Sequence, residues 1–151
     1  MLTAIKDSKI DITSEKSTRE LAEKLTSYFN GGEYVFLYGE MGVGKTTFVK
    51  YFINKFQTDE QLKPTEVTSP TFNLLNEYET KNFTIKHYDL FRIKDSLEIK
   101  DLDIFDVKRQ TITFIEWPQI LENNAKVKSI DLLFAYENEL KNRTVQIKGL
   151  N

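Results

Sequence analysis

One stretch restricts this chain more than any other feature: Gly39-Glu40-Met41-Gly42-Val43-Gly44-Lys45-Thr46. It fills every fixed position of the phosphate-loop pattern G-x-x-x-x-G-K-[ST], which chance supplies in roughly one unrelated chain of this length in a few hundred. The chemistry needs each position. Gly39, Gly42 and Gly44 can take backbone angles that other residues avoid, so successive N–H groups can turn inward around an anionic phosphate. The helix that follows adds the partial positive charge of its N-terminus. Lys45 can reach the β- and γ-phosphates, and the Thr46 hydroxyl can ligate magnesium. The nucleotide-binding residues are therefore placed at Glu40, Met41, Gly42, Val43, Gly44, Lys45, Thr46 and Thr47, and the ligand is a nucleoside triphosphate with magnesium.

Such a loop works between a buried strand and a helix, and the flanking sequence supplies both. Tyr34 to Tyr38 is a continuous apolar run, as suits a strand covered on both faces of a sheet. Lys45 to about Phe56 reads as helix. Upstream, Lys9 to Thr13 alternates like a short strand. Ser17-Thr18-Arg19-Glu20 forms a capping box opening a helix with Leu21, Ala22, Leu25 and Phe29 on one face, ended by Gly31-Gly32. Downstream, Thr58 to Thr68 is polar and reads as loop. Phe72 to Tyr78 and Phe83 to Tyr88 form a hairpin across residues 79–82. Ser96 to Val107 is helix-like, Thr111 to Ile115 is a second buried-type strand, and Ser129 to Tyr136 with Arg143 to Ile147 closes as an antiparallel pair. The expected fold is α/β: a P-loop NTPase-like mixed β-sheet flanked by helices, in a single domain.

Composition removes most other chemistries. The chain has 151 residues, 40% of them hydrophobic, enough for one real core with no second substrate domain expected. There are no cysteines, which excludes disulfide scaffolds and thiolate sites, and the one histidine, His87, excludes a site needing two imidazoles. Twenty-one basic and 23 acidic side chains leave a net charge of −2, which argues against affinity resting on a broad field for nucleic-acid phosphates. No apolar run approaches a membrane span and no signal-peptide core opens the chain, so a cytoplasmic protein without membrane contact is expected.

A phosphate-loop enzyme also needs a carboxylate at the end of a neighbouring strand, to hold magnesium and orient the attacking water. Thr111-Ile112-Thr113-Phe114-Ile115-Glu116 delivers one at its carboxyl end, where open α/β sheets place their ligands. Glu116 is thus a metal and catalytic candidate, and Thr46 the other metal ligand. Asp89 is the second acid. In a strand running Phe83, Ile85, His87, Asp89, alternate side chains share a face, so His87 and Asp89 point the same way. The simpler reading of His87 is a histidine satisfied in the core, and of Trp117 a core or interface residue. Thr68-Ser69-Pro70-Thr71-Phe72 occupies the chain position where switch loops meet the γ-phosphate, and equally suits an ordinary turn. Thr13-Ser14 and Arg143 are the candidates for contacting adenine.

Together these residues resemble the TsaE (YjeE) family of bacterial ATPases. The likeness is carried by Gly39 to Phe48, by Ser69-Pro70-Thr71-Phe72, by His87-Tyr88-Asp89-Leu90-Phe91-Arg92 and by Ile115-Glu116-Trp117-Pro118. The family often has Asp at position 40, Ala at 43 and Tyr at 91. None of these departures removes a phosphate or metal ligand, and only the phenolic hydroxyl at Phe91 is lost. The resemblance implies that Lys45 and Thr46 contact phosphate and magnesium, that Glu116 helps bind the metal, that Asp89 is the second acidic position, and that Thr71 lies in a switch-like loop. It also implies a weak Mg-dependent ATPase serving threonylcarbamoyladenosine formation at position 37 of ANN-decoding tRNAs, with TsaB and TsaD as partners and tRNA met only indirectly. Two other readings compete. A small-metabolite kinase would close an arginine-bearing lid, but Arg19, Arg92, Arg109 and Arg143 do not cluster. A GTPase would carry an Asn/Thr-Lys-x-Asp stretch after the loop, and the nearest run, Ser8-Lys9-Ile10-Asp11, precedes it. A third alternative is an assembly factor gated by nucleotide, in which hydrolysis is incidental.

Overall fold

The structure is a computed structural model that describes residues 8–106, 109–121 and 127–150. Its strands are β1 (Lys9–Asp11), β2 (Tyr34–Tyr38), β3 (Leu75–Glu79), β4 (Thr84–Asp89), β5 (Thr111–Glu116), β6 (Ser129–Glu137) and β7 (Asn142–Lys148). Its helices are α1 (Glu15–Leu25), α2 (Lys45–Asp59) and α3 (Ser96–Lys100), with 3-10 turns at Thr26–Tyr28 and Pro118–Leu121. The strands form one sheet in the order β1-β7-β6-β2-β5-β4-β3. β2 runs parallel to β5 and β6, and β5 parallel to β4. The outer strands β1, β7 and β3 join antiparallel. The expected mixed sheet with flanking helices is therefore present.

The central strands read as they do because neither face meets water. All of β5 is buried, as is β2 up to Leu37. Val35, Leu37, Ile112 and Phe114 belong to the core that takes in α1 and α2, while Tyr34, Phe36 and Ile115 pack with Tyr88, Ile99 and Ile104 in a second core. The Phe52 ring on α2 meets Phe29 at 4.8 Å, Phe56 at 5.2 Å and Phe114 of β5 at 4.9 Å, all edge-on. Such pairs fix the helix to the sheet beyond their area alone. This anchorage holds the start of α2, and so the loop before it, over the carboxyl ends of β2, β5 and β4.

Several local expectations are corrected. The capping residue of α1 is Ser14, whose extended backbone and side chain accept the Ser17 N–H at 3.1 Å. Starting there brings Thr18 into the buried face with Leu21, Ala22 and Leu25. The helix then tightens into the 3-10 turn at Thr26, and Gly31 and Gly32, at φ 104° and 89°, serve the turn into β2 instead of the cap. Phe72 stands outside β3, 83% exposed, because the Leu74 N–H bonds back to the Pro70 carbonyl and turns the chain. α3 has only five residues; Asp103 at φ 50° breaks the helical path, and Val107, its expected end, lies outside the described residues.

Candidate nucleotide site

The loop after β2 has the backbone that an anion cradle needs. Gly39, Gly42 and Gly44 sit at φ 145°, 78° and 115°, a region that favours glycine. At Gly39 space is also exhausted, since a Cβ there would lie 2.8 Å from the Phe134 carbonyl oxygen of β6. Val43 is fully buried and plugs the loop into the α1–α2 core, while Glu40 and Met41 are exposed. Of the expected nucleotide-binding residues, Met41, Gly42, Gly44, Lys45, Thr46 and Thr47 line one cavity of about 290 Å³. Glu40 and Val43 do not line it, and any part they take falls to the backbone.

The strand ends bring the acids to the same cavity, which Asp89, Glu116, Thr71, Ser69, Trp117 and Arg143 also line. Asp89 stands level with Glu116 across the parallel pair β4–β5. Each carboxylate has its own donors. Thr46 Oγ1 donates to Glu116 Oε2 at 2.9 Å, and His87 Nε2 lies 2.5 Å from the same oxygen. Asp89 accepts from Thr71 Oγ1 at 2.9 Å and from the Phe91 N–H at 2.9 Å. Thr71 is tied in turn to Ser69 Oγ at 2.6 Å. Lys45, Thr71, Asp89 and Glu116, the catalytic residues expected from sequence, thus line one space from four separate segments.

Charge is held here against the pull of burial. Burial lowers the Lys45 pKa, and the Glu116 and Asp89 carboxylates pull it only part of the way back. Lys45 Nζ donates to the Gly39 carbonyl oxygen and stands 4.0 Å from the Trp117 ring centre, a cation–π contact. Burial alone would raise the Glu116 carboxyl, but the His87 ring, the Thr46 hydroxyl and the Lys45 charge outweigh it and hold the group below its ordinary value. Glu116 is therefore poised as an anion beside a cation with few partners of its own.

Three residues play larger parts than their sequence context indicates. His87 is fully buried, as read, but its ring serves a site carboxylate. Trp117, at φ 58°, rests 4.8 Å from Phe91 and covers Lys45 instead of filling the core. Arg143 Nη2 donates to the Thr13 carbonyl at 2.7 Å, and its guanidinium would lie 3.7 Å from a Cβ at Gly44. Ser14, by contrast, is occupied in capping α1. The signal available for His87 was its alternation with Asp89; nothing local pointed to Glu116, 29 residues away.

Comparison with known proteins identifies the family. Residues 12–145 match the family model for Threonylcarbamoyl adenosine biosynthesis protein TsaE. The tRNA threonylcarbamoyladenosine biosynthesis protein TsaE of Rickettsia felis is 38% identical over 112 residues, covering 74% of this chain and 63% of that protein. The chain thus spans less than two thirds of that relative's length. The protein of the same name from Aquifex aeolicus is 35% identical, over 74% of this chain and 77% of its own. Among solved structures, the crystal structure of Bacillus subtilis YdiB superposes with a TM-score of 0.72 at 19% identity, covering 95% of this chain and 86% of that one. That likeness is one of fold.

Proposed function

This chain belongs to the TsaE family of threonylcarbamoyl adenosine biosynthesis proteins, and from that premise we propose that it binds and slowly hydrolyses ATP in support of threonylcarbamoyladenosine formation in tRNA. The observation that carries the reading is the convergence of Lys45, Thr46, Thr71, Asp89 and Glu116 on one cavity beside a glycine-cradled helix start. TsaB and TsaD are the proposed partners, in the cytoplasm, with TsaD as the enzyme that acts on tRNA. Among the described residues no helix is long and apolar enough to cross a membrane. A net charge of −2 supplies no broad attraction for tRNA phosphates, so contact with tRNA would come through the partners.

The donor set suits magnesium. Thr46 offers a hydroxyl and Glu116 and Asp89 offer carboxylates, all hard oxygens, and magnesium is usually held by one or two carboxylates together with substrate phosphates. Among the described residues no group of three or more His, Cys, Asp or Glu side chains could cage a metal unaided, so triphosphate oxygens would complete the shell. A bound magnesium would neutralise charge developing between the β- and γ-phosphates. Lys45 would exchange the Gly39 carbonyl for phosphate oxygens, and because the cost of desolvating its charge is already met in the fold, binding does not incur it again. Thr46 would offer the hydroxyl that now bonds Glu116 to the metal. Glu116 and Asp89, each oriented by separate donors, would hold the metal and orient the attacking water, with Thr71 keeping Asp89 in place.

Two substitutions test the reading in one assay set. Lys45→Ala should weaken triphosphate binding by roughly 10–100-fold, the loss expected for charged hydrogen bonds; unchanged affinity would remove the phosphate-loop assignment. Glu116→Gln should still bind ATP and still join the TsaB and TsaD proteins, while repeated rounds of tRNA modification stall. If repeated rounds persist, hydrolysis is incidental and the nucleotide only gates assembly.

A further inference from the structure

We infer that His87 is a positioning residue for the ATPase site: it fixes the Glu116 carboxylate so that the orientation toward a metal–triphosphate survives when Thr46 lets go. The inference rests on the ATPase reading above. Its ground is the strand register. His87 is level with Phe114, and Asp89 with Glu116. Alternation puts His87 and Asp89 on one face of β4, the face toward α2 that Ile85, Ile112 and Phe114 share. From there Nε2 crosses diagonally to Glu116 Oε2 at 2.5 Å, with the ring fully buried.

Two features separate this contact from ordinary packing. Asp89 and Glu116 are like charges at aligned positions on neighbouring strands, an arrangement that repels unless each has its own donor. Asp89 keeps Thr71 and the Phe91 N–H. Glu116 has Thr46 and His87 on one oxygen, and the Thr46 hydroxyl is the group that must turn to the metal. His87 is then the donor that stays. The second feature is cost. Nδ1 of the ring is buried with no hydrogen-bond partner among the described residues, which an apolar side chain of similar size would avoid. Because an ionised carboxylate accepts only, Nε2 carries the hydrogen in this contact.

The test uses reach. His87→Gln keeps an N–H donor about as far from the backbone as Nε2, whereas His87→Asn is polar but too short. In the full chain with ADP, Mn2+ binding followed by electron paramagnetic resonance should weaken by roughly 10–100-fold in His87→Asn, the usual effect of losing a partner of a metal ligand. ATP affinity without metal, read from the fluorescence of Trp117, should change little. With partners added, kcat should fall in His87→Asn while KM for ATP holds, and His87→Gln should recover most of both losses. Equal Mn2+ affinity in the native chain and His87→Asn, or equal loss in the Asn and Gln variants, overturns the inference. Should His87→Asn fail to fold, His87→Leu, which fills the space without a donor, replaces it with the same expectations. A native chain that binds ADP and Mn2+ but never turns over ATP with its partners sinks the ATPase reading alone.

Discussion

Glu116 couples the site to the stability of the fold through pH. Burial pushes its carboxyl up, while the His87 ring, the Thr46 hydroxyl and Lys45 bring it below the ordinary value of 4.5. A carboxyl with a lower pKa folded than unfolded means that the unfolded chain binds more protons in the window between the two values. Its contribution to stability is therefore full above the unfolded pKa and is lost as pH falls through the folded one. Glu116→Gln lacks that term. Its urea midpoint should lie below the native one near neutral pH and approach it as pH drops below about 4. All other carboxylates are common to both chains, so the difference isolates this residue. A gap that stays constant between about pH 7 and pH 3 would mean that the Glu116 charge is not held by its neighbours. The same neighbours make the site useful, since a carboxylate kept ionised in a buried place is a ready metal ligand.

Strand β2, the glycine loop and α2 act as one element, and its glycines do unequal work. A side chain at Gly39 would be strained at φ 145° and would press on the Phe134 carbonyl oxygen at 2.8 Å and Cβ at 2.9 Å, both on the neighbouring strand β6. Gly42 is freer: its nearest neighbour would be the Tyr136 hydroxyl at 3.4 Å. Gly39→Ala should therefore cost about 3 kcal/mol of unfolding free energy, from backbone strain plus overpacking. Gly42→Ala should cost about 1 kcal/mol but weaken ATP binding more, because its Cβ intrudes on the cradle. Chemical denaturation and nucleotide titration of both variants check this, and equal destabilisation would contradict it. The element was legible because its signals are local: an apolar run, fixed glycines, then a helix start. Where signals were shared, reading failed. Ser14 and Ser17 are both able caps, and the capping-box pattern of Ser17 with Glu20 favoured the wrong one, since the burial of Thr18 that decides it depends on the sheet. Leu74, turning the chain before β3 at positive φ, is in a strained conformation that leucine does not advertise. Asp103, which breaks α3 at positive φ, is of a type that suits a helix turn as well as a left-handed stop. The role of His87 was not legible because its partner is set by the parallel register of β4 and β5, which no local pattern states.

For the whole molecule, the sheet order places the site where nucleotide binding should be felt unevenly. β2 and β5 lie at the centre with strands on either side, so their amides exchange with solvent only when the entire fold opens. The loop at residues 40–44 and the segment at 69–74 sit at the cavity and bond little to the sheet, whereas the hairpin turn at Thr80–Phe83 lies at the other end of β3 and β4, closed by its own Thr80–Phe83 bonds. Without ATP, both loops and the hairpin turn should exchange by local opening at low protection. ATP with magnesium at about 100 times its dissociation constant adds roughly 2.7 kcal/mol to global unfolding, which slows the amides of β2 and β5 by about 100-fold. The cavity loops should gain protection too, because their openings now require the ligand to leave. The hairpin turn should not change, since its opening leaves the cavity intact. Hydrogen exchange with and without ATP distinguishes this pattern from its rivals. Protection confined to the strands would place the ligand elsewhere than the glycine loop, and slowing of the hairpin turn to match the strands would mean that the sheet opens only as a unit. The expected outcome, slow strands, newly protected cavity loops and an indifferent hairpin, follows from a ligand held at the carboxyl ends of β2, β5 and β4 by groups that the hairpin turn, at the opposite end of β3 and β4, does not touch.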